Sequence, residues 1–378
     1  MSEYQYYEFL AIDHPLTRKQ MSEVREFSTR AEITATRFVN EYNWGNFKGK
    51  PDLMVTRYFD LMYYYANWGT HRLLLGVPAD GIDLKAWKVY ASSEMIRFRT
   101  SGERVLIDFE SNSDDYEDDV GESEAASLAP VRGEILSGDL RPLYLGWLSG
   151  VNVYDEDARG RSPVAPPGLD NLTAAQTALA SFLRVDDDLL LAAAGLAEPA
   201  APPKMPLKRW IEQLPPEEKD ELLFEAASGE GLRIGTKLMQ QYARSQSPAG
   251  ADLLSGPPVK ELLKLAEAIR QKRAADERKR TEERKAREAA KKAAAREQYL
   301  NELATREQNV WHDVSQQIAM KQSTAYESAI KTLRDLRDLA IRQDALEAFS
   351  AKVAALRAAN VTKHSFIKRL DTARLDKR

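Results

Sequence analysis

Residues 94–110 read EMIRFRTSGERVLIDFE. Ile96 and Phe98 alternate with Arg97 and Arg99 before Ser101-Gly102-Glu103, and Val105, Ile107 and Phe109 alternate with polar or aliphatic neighbours after it. A period of two on both sides of a short glycine-containing loop predicts a β-hairpin, with Ile96 and Phe98 facing Val105, Ile107 and Phe109. The hairpin closes a segment, residues 1–110, of mixed character. Residues 4–13 are rich in aromatic and aliphatic side chains and predict a strand that ends at Asp13-His14-Pro15. Thr17 and Gln20 match a capping box, and Met21, Val24 and Phe27 then share one helical face. A second strand is expected over 33–42 and a loop over 43–50. Pro51 should open a longer helix, with Met54, Tyr58, Leu61, Met62 and Tyr65 as its apolar stripe and Gly69 as its stop. Residues 71–78 predict a buried strand. The expected fold class is α+β: an N-terminal mixed sheet with helices on one face, ferredoxin-like in outline, then a mostly α-helical remainder with one long charged helix.

Residues 111–124 form an acidic loop containing Asp114, Asp115, Glu117, Asp118, Asp119, Glu122 and Glu124. They lack the alternate ligands, central glycine and terminal glutamate of a calcium loop, so a solvated loop is expected. Residues 125–246 read as a helical domain. Its segments are 126–136 and 140–151 around Gly138, 172–183, 186–196 with Asp186 as N-cap, then 206–214, 216–228 and 232–245. Proline-rich spacers separate them at 163–168 and 199–204. Residues 247–258, SPAGADLLSGPP, are a linker. Residues 259–307 predict a charged helix of about 70 Å at 1.5 Å per residue. It has no bulky apolar residue between Arg270 and Gln298, so it is not a coiled coil. Charge pairs at i,i+4 and alanine propensity can hold it in water. Residues 308–378 regain amphipathicity and predict a small C-terminal helical bundle.

The chain contains no cysteine, which excludes disulfides, zinc-thiolate sites, iron–sulfur clusters and thiol nucleophiles. Its longest apolar run, 189–197, is far below the roughly 20 residues that span a bilayer, so no membrane is expected as a partner. The first residues, MSEYQYYEFLAID, carry acids and no basic n-region, so no secretory leader is expected and the location reads as cytoplasmic. The net charge of −4 hides a split. Residues 259–378 hold 28 Lys and Arg against 18 Asp and Glu, whereas residues 1–258 hold 26 against 40. Such polarity fits a basic segment that meets nucleic acid or an acidic partner, or two regions that neutralise each other.

Catalytic signals are sparse. His14, His71, His312 and His364 fall on four separate elements with no HExxH-type spacing. No nucleophile elbow or phosphate loop is present, and Gly229-Glu230-Gly231 follows a helix rather than a strand. No catalytic, cofactor or metal residue is assigned, and no cofactor is expected. Two groups carry a binding signal. Fifteen of the 32 aromatic residues lie in the first 70 positions, and Trp44 and Phe47 with Lys48 and Lys50 would suit base stacking beside phosphate contacts. The competing reading is a thin sheet core filled by Tyr and Phe. Arg278, Lys279, Arg280, Arg284, Lys285, Arg287, Lys291 and Lys292 on the long helix could contact phosphates. Glu282, Glu283 and Glu288 among them favour a solvated helix instead.

Residues 6–17 (YYEFLAIDHPLT), 41–51 (EYNWGNFKGKP), 67–75 (NWGTHRLLL) and 138–148 (GDLRPLYLGWL) resemble an uncharacterised bacterial protein family, as do 326–340 (YESAIKTLRDLRDLA) and 365–375 (SFIKRLDTARL). Members of that family are often encoded beside SWIM-type zinc-finger proteins. The resemblance implies such a protein as a partner and carries no known activity. The expected function is a non-catalytic interaction or scaffold protein in a bacterial multi-protein system, with a protein partner. The alternative is nucleic-acid binding through the basic C-terminal helical region and the aromatic sheet. An enzyme with an unrecognised carboxylate site comes third.

Overall fold

The hairpin forms, with Ile96 opposite Phe109 and Phe98 opposite Ile107. Its two-residue loop puts its positive φ, 61°, at Gly102, where no Cβ is present to clash. The hairpin lies at one edge of a seven-stranded antiparallel sheet: β1 (Gln5–Leu10), β2 (Glu32–Ile33), β3 (Arg37–Tyr42), β4 (Leu61–Ala66), β5 (Thr70–Pro78), β6 (Ile96–Ser101) and β7 (Arg104–Asn112), in the order β2-β3-β1-β4-β5-β7-β6. This computed structural model describes residues 3–80, 82–113, 123–153, 155, 158–199, 205–246 and 256–375. The acidic residues Asp114, Asp115, Glu117, Asp118, Asp119 and Glu122, spacer residues 200–204 and linker residues 247–255 lie outside them. The chain is α+β, with a mostly helical remainder after the sheet.

Helices α1 (Arg18–Arg25), α2 (Pro51–Arg57) and the short α3 (Leu84–Trp87) come from the segment that also builds the sheet. The capping box is complete: Gln20 N–H donates to Thr17 Oγ1 at 3.2 Å, and Thr17 N–H donates to Gln20 Oε1 at 2.9 Å. Two expectations are corrected. Residues 33–42 are not one strand, because Thr34-Ala35-Thr36 folds into a tight turn between β2 and β3, where Thr34 N–H donates to Arg37 O at 2.8 Å. The helix opened by Pro51 ends at Arg57, and Leu61, Met62 and Tyr65 belong to β4. Residues 61–66 pair with β1 on one side and β5 on the other, so the sheet satisfies their backbone polar groups on both sides. Among the described residues every strand pair is antiparallel, so the ferredoxin-like outline is corrected as well.

Four further helices follow: α4 (Ala125–Leu136), α5 (Arg141–Leu148), α6 (Ala174–Phe182) and α7 (Asp187–Leu196). Phe9, Met62, Leu74 and Leu106 of the sheet pack on Val24 of α1 and on Met54 and Val55 of α2. On the other face Tyr63, Leu73, Leu75, Ile107 and Phe109 pack on Leu128 and Val131 of α4, Leu143 of α5 and Leu179 of α6. At Gly146 an added Cβ would lie 2.7 Å from the Phe109 ring, so only glycine lets α5 come so close. A strand buried on both faces reads as a continuous apolar run, which is the character of residues 61–66.

Helices α8 (Leu207–Gln213), α9 (Pro216–Glu225) and α10 (Gly231–Gln246) precede α11 (Val259–Thr305). A π-helical turn at Ala226–Glu230 joins α9 to α10, so the Gly229-Glu230-Gly231 segment is helical. The tail contains α12 (Glu307–Ala319), α13 (Ser323–Arg342), α14 (Leu346–Ala359) and α15 (His364–Ala373). The chain divides into two compact units, Met1–Arg273 and Ala274–Arg378. In the second, Leu303, Val314, Ile318, Leu333, Leu336, Val353, Phe366 and Leu370 form the core.

Charge is buried where α4 crosses the sheet. Arg132 grips Asp13 with Nη1 and Nη2 at 2.9 and 2.6 Å, and its Nε donates to Gly76 O at 2.7 Å. Asp60 Oδ2 accepts from the Ile12 and Asp13 amides at 2.7 and 2.8 Å, while its Oδ1 lies 2.9 Å from Arg104 Nη1. Replacing Arg132 by Met should therefore cost about 3–5 kcal/mol, because it removes the bidentate partner of Asp13 and the donor to Gly76 O. Urea unfolding followed by circular dichroism measures this, and a loss below about 1 kcal/mol would contradict it.

Glu8, buried on β1, gives a pH prediction. Burial alone would raise its carboxyl, but hydrogen bonds from Arg37, Ser123 and Tyr6 outweigh burial and hold it below the usual 4.5. Its stabilisation is therefore complete above the unfolded-state pKa and is lost as pH falls through the lowered folded value. Glu8→Gln should narrow the stability gap to the wild type steadily below about pH 4.5. A gap that stays constant to pH 2 would refute the assignment.

Candidate functional site

The loop over 43–50 leaves β3 and returns to α2. Gln5, 3% exposed, ties it to the sheet: its Nε2 donates to Gly45 O at 2.9 Å and to Asn46 Oδ1 at 3.1 Å. Its Oε1 accepts from the Tyr7 and Tyr64 hydroxyls at 3.1 and 3.2 Å. With four partners the buried amide is fully engaged, and the loop has a fixed root. Trp44 stands at the tip, 85% exposed, and Lys48 and Lys50 are also exposed. Phe47 points the other way. It is buried, with ring centroids 5.2 Å from Tyr7, 5.8 Å from Phe9 and 5.9 Å from Phe38. Gly49 leaves room for this ring, since a Cβ there would sit 2.5 Å from Phe47 Cζ. Trp44 and Phe47 therefore do not form one stacking platform. Both faces of the sheet are covered, and most of its aromatic side chains fill the two cores.

The basic helix residues have the opposite environment. Every residue from 271 to 295 is exposed except Thr281, which is partly covered. This includes Arg278, Lys279, Arg280, Arg284, Lys285, Arg287, Lys291 and Lys292, all on the continuous helix α11. The exposed stretch begins and ends at arginines that are held within their own units. In the first unit, Arg273 Nη2 donates to Asp188 Oδ2 at 2.8 Å, and Asp188 is fully buried at the start of α7. In the second, Arg296 donates to Asp335 and Asp338, both at 2.6 Å, and Tyr299 OH donates to Asp335 at 3.0 Å. Sequence reasoning did not single out these anchors. The run Asp186-Asp187-Asp188 at a helix start was the available signal, since acids there complement the helix dipole and attract a nearby cation.

Sequence reasoning also missed an ionic lattice on the sheet. Asp108, 1% exposed, accepts from Arg72 Nε at 2.7 Å and lies 2.9 Å from Arg99 Nη1. Arg99 also donates twice to Asp52, at 3.1 Å each. Burial alone would lower the Arg72 guanidinium, but the hydrogen bond and charge of Asp108 outweigh it and raise the pKa. The alternation of Arg97 and Arg99 with Phe98 was the sign that one side of β6 carries cations. Each carboxylate in this lattice faces an arginine. The histidines lie on separate elements; His71 Nδ1 is 3.0 Å from Phe182 O, and its ring stacks on Phe182. Among the described residues no group of three or more His, Cys, Asp or Glu is placed to hold a metal ion, and no helix is long and apolar enough to cross a membrane. No family model, curated protein or solved structure matches this chain.

The loop predicts a separation of roles. Phe47→Ala should cost about 3–5 kcal/mol of stability through the cavity it leaves. Trp44→Ala should stay within about 0.5 kcal/mol, as surface changes do. Thermal unfolding of both variants checks this, and equal losses would show that Trp44 is also a packing residue.

Proposed function

We propose that this chain is a non-catalytic interaction protein and that the exposed stretch of α11 is its contact surface. One observation supports the reading: from 271 to 295 the helix has a solvated surface on all sides, with only Thr281 partly covered. A helix that is polar all round and packs on nothing is stabilised only by alanine propensity and surface charge pairs. The charged residues between Arg273 and Arg296 contribute little to the core, so a partner contact gives them a role. The SWIM-type zinc-finger protein implied by the family resemblance is the first protein to co-express.

The test is purification of the full chain from its native cell after lysine-directed cross-linking, followed by mass spectrometry of the cross-linked sites. Cross-links to a partner should concentrate on Lys279, Lys285, Lys291 and Lys292. Deleting 276–293, about five whole helical turns at 3.6 residues per turn, should remove them while leaving the phase of the helix unchanged. Partner cross-links confined to other lysines, and retained in the deletion, would move the contact surface elsewhere.

A further inference from the structure

In an unbroken α-helix, spacing along the chain determines which residues share a face. Arg280, Arg284, Arg287 and Lys291 stand at i, i+4, i+7 and i+11 of α11. At about 100° per residue they fall within about 60° of arc, and they extend along about 16 Å of the axis. No acidic residue lies in that arc between 280 and 291. Glu282 projects from the opposite side of the helix, and Glu283 and Glu288 each lie about 70° from the centre of the row. In linear sequence the acids look interspersed with the bases; on the helix they flank a row of four cations. All four cations are exposed.

We infer that this row binds the phosphate backbone of a nucleic acid. The inference rests on the reading of α11 as a contact surface and names the chemistry of its occupant. The cations rise about 6, 4.5 and 6 Å apart along the axis, each between the roughly 3.4 Å of one nucleotide step and the roughly 6.8 Å of two along a strand. Three of the four are arginines, whose planar forked guanidinium matches phosphate oxygens. No apolar or aromatic side chain lies in the row, so binding would be electrostatic and would not depend on base sequence. An acidic protein segment is the competing occupant.

The experiment uses fluorescence anisotropy of the intact 378-residue chain. The probes are a labelled 20-bp DNA duplex, a labelled 20-nucleotide RNA strand and a labelled polyglutamate peptide, each at 50 and 200 mM salt. Four phosphate contacts predict that duplex affinity falls about 100-fold between the two salt concentrations. Replacing all four residues (R280Q/R284Q/R287Q/K291Q) should remove most of that salt dependence. A control with the same charge change at exposed residues elsewhere in the unit (K321Q/K331Q/R334Q/K368Q) should bind nearly as the wild type does. Removing the flanking acids (E283Q/E288Q) should tighten binding several-fold.

Equal weakening by the two quadruple variants would overturn the assignment to this row, as would tighter binding of polyglutamate than of either nucleic acid. If the wild-type chain ignores both nucleic acids while partner cross-links to α11 persist, the phosphate inference fails and the contact-surface reading stands. If those cross-links are also absent, both fail. Comparing the duplex with the RNA strand shows which nucleic acid supplies the phosphates.

Discussion

The arrangement of the first unit depends on one buried ionic contact, the grip of Arg132 on Asp13 beside Asp60. Arg132 lies on α4, Asp13 follows β1, and Asp60 precedes β4. Its side chain is 5% exposed and that of Asp60 3%, so neither charge is solvated enough to stand alone. Arg104 answers Asp60 from β7 and also donates to the Val55 and Phe59 carbonyls, at 2.9 and 2.7 Å. Two arginines and two aspartates thus connect a helix, three strand ends and the exit of α2. Hydrophobic burial is non-directional and could seat α4 at several positions on the sheet. Charges that must meet across low-dielectric space allow far fewer.

That contact also accounts for where the sequence was hard to read. Met54, Tyr58, Leu61, Met62 and Tyr65 satisfy a helical period, and nothing local contradicts it. What ends the helix is non-local: Asp60 Oδ2 accepts two amides from residues 12 and 13, and the residues after it pair with β1 and β5. Periodicity cannot separate a helix from a strand buried on both faces, because both place apolar residues at nearly every position. The hairpin at 96–112 was legible for the opposite reason. Its loop, its alternation and its partner strand lie within one short stretch, so local chemistry carries the whole signal. The capping box at Thr17 and the Asp186 cap are local in the same sense, and each forms with its side chain accepting the expected amide.

The aromatic residues show how the same composition can serve core or surface. The first 70 positions look like a binding platform when counted, yet the sheet uses both faces for packing. Phe9, Phe38 and Phe59 are fully buried, and Tyr63 and Tyr65 nearly so. Trp44 differs: it stands exposed on a loop whose neighbouring Gly45 and Asn46 are tied to the sheet by Gln5. Sequence could show the aromatic density but not the presence of α4 to α7 over the second face, since that depends on contacts between segments far apart in the chain.

For α11 the relation reverses, and sequence and structure carry different parts of one argument. Charge and alanine content predict a solvated helix, and its basic residues from Arg278 to Lys292 are exposed. Linear order mixes Glu282, Glu283 and Glu288 with the bases, which argues against a polyanion. An unbroken helix sorts them by angle, and the mixture resolves into a row of cations with acids at its margins. Within the first unit Arg270 and Arg273 pair with aspartates at the start of α7, and within the second Arg296 pairs with Asp335 and Asp338. Between these anchors the side chains are exposed, with Thr281 partly covered, so packing does little to constrain their identity.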